Sequence, residues 1–254
     1  MTELNPTQQQ KQYKILLIGD NCTDIYHYGI IDRLSPEAPV PIFVPTYKEE
    51  REGMAGNVFN NLETLGCYVN YLFGETSTKT RLIDSRSKQQ IVRIDSDVIS
   101  DTITFDTAIP DIYDAVVISD YNKGTVSYEL MEEVIATVKC PVFIDTKKTD
   151  LARLEGAWVK INELEYGKIK SECSGLIVTK GSRGAQTVCH SIDVPAPQVE
   201  VVDVTGAGDT FLSALTYQYV NTGSIEQAIR FAVKASAVTV QRLGVYAPTL
   251  QEIE

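Results

Sequence analysis

Five short apolar runs, each closed by a polar residue or a glycine, constrain this chain more than any other feature. They are "YKILLIGD", "AVVISDY", "CPVFIDT", "WVKIN" and "GLIVTKG". Each is rich in β-branched residues and apolar at consecutive positions, the pattern of a strand buried on both faces. Helical patterns lie between several of them. Residues 127–138, "SYELMEEVIATV", place Leu130, Met131, Val134, Ile135 and Val138 at helical spacing. Repetition of strand, helix and strand predicts an α/β fold in which a mainly parallel sheet is covered by helices. Such sheets bind ligands beyond the carboxyl ends of their strands. Asp20, Asp120, Asp145, Asn162 and Thr179, which close the runs, are therefore expected along one edge.

Two regions break this rhythm. Residues 28–47, "YGIIDRLSPEAPVPIFVPTY", hold four prolines, too many for a helix or a central strand, and read as edge strands and turns. Residues 80–97, "TRLIDSRSKQQIVRIDSD", alternate like exposed strands. Together they predict a small β flap, or lid, laid over the site. The 254 residues, 43% of them hydrophobic, suffice for one large core, and no linker or repeat divides them. Residues 13–254 are thus expected as a single domain behind a flexible polar tail, residues 1–12.

Composition excludes several partners. With 34 acidic against 23 basic residues and a net charge of -11, the surface repels nucleic acid. No apolar stretch approaches the ~20 residues of a membrane span, and the polar start lacks a signal-peptide core. Five scattered cysteines, an odd number without metal-ligand spacing, fit reduced thiols. The expectation is a cytoplasmic protein that binds neither nucleic acid nor membrane. His27 and His190 lack companion ligands at metal spacing and are left out of the site.

The stretch "VVDVTGAGDTF" raises the functional question. "VEVVDV" reads as a strand, and Phe211, Leu212, Leu215 and Tyr219 fall on one helical face, so the turn at Gly206, Ala207 and Gly208 opens a helix. A helix start presents unpaired N–H groups and partial positive charge, and glycines let that backbone close on an anion. Phosphate fits the turn without being required by it. A dinucleotide loop wants a third glycine where Phe211 stands, and the P-loop's Gly-Lys-Ser/Thr is absent. A plain strand-to-helix turn, with Asp209 favouring the helix dipole, remains the alternative.

"DVTGAGDTF" resembles the signature of the ribokinase (PfkB) family of carbohydrate kinases. That resemblance implies a ribokinase-like fold, Rossmann-like with a β lid, and covers the chain from about Ile15 to its end. It implies that the glycine turn, with Thr205 before it, holds the transferring phosphate and that Asp209 is the catalytic base. "GDNCTD" is similar to the family's first strand end, making Asp24 a sugar contact, and "GMAGN" to its sugar-side turn, with Gly53 and Asn57. "NELE" matches Asn-x-x-Glu, implying that Asn162 and Glu165 organise Mg²⁺ and phosphates through water. "VTKGSRG" is similar to the nucleotide-side loop, with Thr179, Gly181 and Gly184, which Lys180 and Arg183 flank. The helix from Ser224 to about Gly244 would border the adenine of ATP and a monovalent cation such as K⁺, with Asp203 as the nearby carboxylate.

Within the family, "YGIIDRLSPEAPVPI", "SRSKQQIVRID", "SDYNKG" and "DTKKTD" resemble the heptose 7-phosphate kinases, the kinase half of a bifunctional enzyme of lipopolysaccharide and S-layer heptose synthesis. The implied reaction is ATP-dependent phosphorylation of the anomeric hydroxyl of D-glycero-β-D-manno-heptose 7-phosphate. The distal phosphate of such a sugar needs cations, for which Arg33, Arg86, Arg93 or Lys147 are candidates. A homodimer through the lid follows from open strand edges. The chain departs from the group at Met54, which stands for a glycine and narrows the expected pocket, and at "DTKK", where Asp-Pro-Lys-Gly is expected. A βα unit between "NYLFGE" and "TKTRLID", and a helix between "NELEYGKIK" and "GLIVTKG", are also expected and lacking. A kinase for another sugar or nucleoside, and a catalytically silent binding homologue, are the competing readings.

Overall fold

The structure, a computed structural model, describes residues 12–104 and 112–254. The tail expected over residues 1–12 lies, up to residue 11, outside the described residues. The strands are β1 (Lys14–Leu34), β2 (Pro41–Met54), β3 (Tyr68–Asp84), β4 (Gln90–Ser96), β5 (Ala115–Asp120), β6 (Val142–Thr146), β7 (Trp158–Asn162), β8 (Leu176–Thr179), β9 (Ala185–Thr187) and β10 (Asp193–Val194). The helices are α1 (Ala55–Thr64), α2 (Tyr128–Thr137), α3 (Glu163–Tyr166), α4 (Ala207–Thr222), α5 (Ile225–Thr239) and α6 (Leu250–Ile253). Strand order is β10-β9-β8-β7-β6-β5-β1-β3-β4, with β2 paired to β1.

The apolar runs become the centre of the sheet because both faces of each strand are covered. In β1, Ile15 and Leu17 enter a core with Val58 and Leu62 of α1, Leu212 and Leu215 of α4, and Ile229 of α5. Their neighbours Leu16 and Ile18 enter the opposite core with Met131 and Val134 of α2. That alternation is the period of two of a pleated strand. Each fully buried large aliphatic contributes roughly 1.5–3 kcal/mol over its exposed state. β5, β6, β7 and β8 run parallel to β1 in matched register, Ile118↔Ile144 and Asn162↔Thr179 among the pairs, so their polar closing residues align at one edge.

One expectation fails at the first run. Instead of ending in a loop at Gly19 and Asp20, β1 continues to Leu34. It pairs in parallel with β3 as far as Gly29↔Asp84, with a register shift between Gly19 and Asn21. Beyond that bulge it also pairs antiparallel with β2, Asp24 facing Arg51 and Tyr26 facing Glu49. The outer layer β2-β1-β3-β4 therefore begins near Asn21, earlier than residue 28, because it is made from the far halves of strands that start in the main sheet. The prolines sit where an edge allows them: Pro41 opens β2, and Pro45 lies at a register shift opposite Gly29. β3 passes from main sheet to outer layer with no intervening element, at the place where a βα unit was expected and lacking. The second lacking stretch leaves α3 as one short turn. Among the described residues no helix is long and apolar enough to cross a membrane.

The bend at Gly19 tolerates no side chain. A Cβ there would meet the Ser119 carbonyl and lie 2.6 Å from the Ala55 Cβ. Gly19→Ala is expected to cost ~1–3 kcal/mol by overpacking, lowering the melting temperature by ~2–4 °C per kcal/mol. Gly167→Ala, whose nearest contact would be 3.8 Å away, is the control and should melt like the wild type.

Candidate active site

The carboxyl edge of the sheet gathers an acid from β1, β5 and β6, namely Asp20, Asp120 and Asp145, and each is held differently. Asp20, just past the Gly19 bend, accepts the backbone N–H groups of Tyr121 (2.7 Å), Lys123 (3.0 Å) and Thr125 (3.2 Å). It thereby fixes the loop "YNKGT" that follows β5. That loop carries Tyr121, whose hydroxyl donates to Asp209 Oδ1 at 2.7 Å. Asn57 Nδ2, from the first turn of α1, donates to Asp209 Oδ2 at 2.8 Å.

Asp209 lies in the first turn of α4, behind Gly206 in the left-handed region at φ 80°. An alanine there would be strained and would place its Cβ 2.8 Å from Asn57 Nδ2 and 3.3 Å from Val245. First-turn amides of α4 lack intrahelical acceptors and carry the positive end of the helix dipole. Burial pushes the Asp209 carboxyl above the ordinary aspartate range, against the bonds from Asn57 and Tyr121, and the nearby Asp145 adds to the rise while Lys160 opposes it. Burial, then Asp209, also holds the Tyr121 phenol in its protonated form. The arrangement can seat an anion on the helix start and take a proton from a hydroxyl brought against Asp209.

The remaining expected residues fall into four groups, with Arg33, Arg86 and Arg93 outside them. Asn162 and Glu165 form a reciprocal cap on α3, Glu165 N–H to Asn162 Oδ1 at 2.9 Å and Asn162 N–H to Glu165 Oε2 at 2.8 Å. The other Glu165 oxygen accepts from Lys147, whose ammonium lies 5.3 Å from the centre of the Tyr121 ring. Lys147 thus stands between Glu165 and the partner of Asp209. Burial alone would lower its pKa, but Asp145 and Glu165 raise it. In the loop expected to face the nucleotide, Thr179 closes β8, Gly181 takes φ 57°, and Gly184 lies against the Val194 carbonyl. Asp203 accepts from the Thr205 N–H and hydroxyl at 2.9 and 2.7 Å and, on its other oxygen, from Gly244 N–H at 2.8 Å. Burial opposes its charge, yet these bonds hold its pKa low.

Of the residues expected to contact a sugar, Asp24 forms an ion pair of 2.5 Å with Arg81, and a Cβ on Gly53 would lie 2.5 Å from the other Asp24 oxygen. Arg81 and Arg51 stand 5.1 and 4.9 Å from the Tyr26 ring centre. Arg51, Thr23, Glu52, Asn57 and Val245 line a cleft of about 430 Å³ beside the glycine turn. Arg33 and Arg86 are not with them. Arg86 donates to the Ile31 carbonyl at the outer end of β1, and Arg33, nine residues along that strand from Asp24, is ~30 Å away at ~3.3 Å per residue. Arg93, opposite Arg81 in β4, pairs with Asp95. Met54, the departure from glycine, has φ 52° at the start of α1, a conformation that favours glycine.

Tyr121, Arg51, Arg81 and Lys160 are functional candidates that the structure adds to those read from the sequence. Tyr121 directly follows a strand-closing acid, and Lys160 is a charge inside the apolar run "WVKIN"; both signals were present. Arg51 and Arg81 follow only from strand register.

A model of the pfkB family of carbohydrate kinases matches residues 74–252. The bifunctional protein HldE of Nitratiruptor sp. is 35% identical over 301 residues, which covers 95% of this chain and 64% of that protein. The chain therefore spans just under two thirds of that relative's length. Among solved structures, Arabidopsis thaliana ribokinase complexed with ribose and ATP superposes with a TM-score of 0.69 at 17% identity, covering 96% of this chain and 98% of that one. Escherichia coli phosphofructokinase-2 in complex with potassium superposes at 0.71 and 15% identity, covering 96% and 97%. These likenesses establish the ribokinase-like fold. The chain belongs to the pfkB family of carbohydrate kinases, phosphotransferases whose acceptor is an alcohol group.

Gly206→Ala is expected to lower stability by ~1–2 kcal/mol through left-handed strain and to push Asn57 off Asp209. Thermal melting and turnover should therefore both fall, whereas Gly66→Ala, with nothing within 4 Å of its Cβ, should affect melting alone.

Proposed function

We propose that this protein transfers the γ-phosphoryl group of ATP to the anomeric hydroxyl of a heptose 7-phosphate. The observation that carries the proposal is Asp209, buried behind the left-handed glycine of a helix start and held by two neutral donors, Asn57 and Tyr121. Phosphoryl transfer asks little covalent work of a protein and much positioning and charge stabilisation. The first turn of α4 supplies donors for the phosphoryl group, and Asp209 accepts the hydroxyl proton as the sugar oxygen attacks.

ATP as donor is supported by family membership and by the ATP complex of the Arabidopsis ribokinase. Among the described residues no group of three or more His, Cys, Asp and Glu is arranged to hold a metal. Mg²⁺ would accordingly keep waters and nucleotide phosphates as ligands, with Glu165 acting through water, the usual habit of that ion. Asp203, oriented by its bonds from Thr205 and Gly244, is kept as the proposed carboxylate beside a monovalent cation such as K⁺.

A phosphorylated sugar is supported by the HldE likeness and by Arg51 and Arg81 beside Asp24. These two arginines replace Arg33 and Arg86 as the proposed holders of the distal phosphate. The expected result is a kcat/KM for heptose 7-phosphate well above those for ribose, fructose or adenosine. An equal value on an unphosphorylated sugar rejects the substrate assignment.

The open outer layer, with Leu34, Val44, Val92 and Ile94 exposed, is proposed to pair with a second copy. Light scattering at micromolar concentration should report a dimer; a fully active monomer would count against it.

Asp209→Asn tests the base. Asparagine keeps the shape, accepts from Asn57 and donates to the Tyr121 oxygen, so the fold should persist. Turnover should drop ~10²- to 10⁴-fold with ATP affinity little changed. A raised carboxyl pKa means that the folded state holds the proton more tightly than the unfolded chain. Its contribution to stability is greatest below the unfolded pKa and declines as pH rises through the folded one. The variant, which carries no charge there, should therefore melt no lower than the wild type at neutral pH. In the wild type the acid limb of kcat/KM should lie above the ~3.9 of free aspartate. Near-normal turnover in folded Asp209→Asn would overturn the mechanism.

A further inference from the structure

A lysine inside a buried strand calls for a reason, because removing an ammonium from water is costly unless it is paired. Lys160, in β7, is 4% exposed, and its Nζ donates to Asp145 Oδ2 at 2.6 Å; Asp145, in β6, is 6% exposed. The pair is not closed on itself. Asp145 Oδ1 is buried without a hydrogen-bond partner. Among the described residues Asp145 is the partner of Lys160, and an ammonium has three hydrogens to donate.

The pair opens toward the glycine turn. A Cβ built on Gly208 would lie 2.9 Å from Lys160 Nζ and 4.0 Å from Asp145 Oδ2, so the glycine leaves the ammonium against the backbone that starts α4. As a cement between β6 and β7 the pair explains little. Those strands are already bonded along Phe143↔Trp158 to Asp145↔Lys160, and a buried ion pair is often no more stabilising than apolar side chains of the same volume.

We propose that Lys160, anchored by Asp145, is a further catalytic residue whose ammonium contacts the phosphoryl group seated on the 206–208 turn. This rests on the kinase reading above. In the transfer step the bond from γ-phosphorus to the bridging oxygen breaks, and ADP leaves with that electron pair. The sugar oxygen bonds to phosphorus, and its proton passes to Asp209. Lys160 keeps its protons throughout and donates hydrogen bonds to the equatorial oxygens, where charge is spread in the transition state. An ammonium fixed beforehand by Asp145 needs no reorganisation at that moment.

The experiment compares wild type, Lys160→Met, Lys160→Arg and the double variant Lys160→Met/Asp145→Asn. The double variant removes both charges and leaves no buried carboxylate without its counter-ion. Calorimetric affinities for ADP and for β,γ-imido-ATP provide a readout separate from turnover. In Lys160→Met and the double variant the imido-ATP affinity should fall ~10-fold while that for ADP stays, the loss of a charge-assisted hydrogen bond to the γ-phosphoryl group. kcat should fall ~10²- to 10³-fold in both, with the sugar KM little changed, and Lys160→Arg should recover part of each loss. A folded double variant that keeps the ratio of the two affinities and the turnover of the wild type overturns the proposal. Wild-type protein that binds neither nucleotide overturns the kinase reading, and this inference with it.

Discussion

The parallel pairing of β1 with β5 on one edge and β3 on the other determines where the functional side chains can stand. Because β1 is flanked on both edges and buried on both faces, its apolar start has one register, and that register places Asp20 beside the loop leaving β5. Three N–H bonds to Asp20 then set Tyr121, and Tyr121 sets one side of Asp209. Past the Gly19 bulge, Asn21 accepts from the Tyr71 hydroxyl at 3.0 Å and donates to Thr76 at 3.1 Å, so polar side chains bridge the point where the strand leaves its helices. The same strand then delivers Asp24 to Arg81. One continuous strand carries both Asp20, which anchors the loop that reaches Asp209, and Asp24, the acid paired with Arg81.

Charge at this edge is divided so that one acid differs from the rest. Asp145 has Lys160, Glu165 has Lys147, and Asp120 has Lys148 at 3.2 Å together with the Thr146 hydroxyl. Asp20 takes three backbone donors. Asp209 alone of these five is met by two side-chain donors that carry no charge, Asn57 and Tyr121. Neutral donors orient a carboxylate without stabilising its charge as strongly as a cation does, and burial keeps the proton affinity of Asp209 up, as it also does for Asp120 despite Lys148. A carboxyl that is oriented but not neutralised is suited to accept a proton, whereas one locked to a lysine is suited to fix that lysine. The same chemical group thus takes two roles according to its neighbour.

Much of this was legible in the sequence because it rests on local signals. Consecutive apolar residues closed by Asp or Asn predict the buried parallel strands, and two glycines before an acid predict a helix start able to hold an anion; the same reading fails at "VEVVDV", where residues 199–204 form no strand and Val201, Val202 and Val204 are exposed. Ser127 and Asn162 cap their helices as residues of their kind do. Contacts set by register were not legible. Nothing local to Arg81 ties it to Asp24; the parallel pairing of β1 with β3 does, and that pairing depends on the absence of any element within β3. Charge and the likeness of their segments point to Arg33 and Arg86, but β1 rises steadily and carries Arg33 to its outer end, where Arg86 also lies. Family likeness points to Asn57 as a sugar contact, and Asn57 does line the cleft, but only the packing of α1 on α4 reveals that its amide also donates to Asp209.

The shortening has a mechanical consequence. A lid joined to its domain through loops can swing, but here β1 and β3 each run unbroken from the main sheet into the outer layer, paired with each other from Ile15↔Val69 to Gly29↔Asp84. Moving the outer layer therefore requires bending two bonded strands together at the Gly19 bulge, where Asn21 and Thr76 already bridge them. Such a joint permits flexing of the sheet twist more readily than opening by rotation about a loop. The cleft between Arg51, Asn57 and Val245 is correspondingly preformed, and less of the binding energy of a substrate is consumed in ordering the layer above it. The strained Met54 belongs to the same frame: its φ of 52° persists because β2 ends and α1 begins on either side of it, with both elements packed. On the function proposed above, rigidity of this kind would favour a sugar that fits the cleft as it stands, with a phosphate placed to reach the arginines that β2 and β3 hold beside Tyr26.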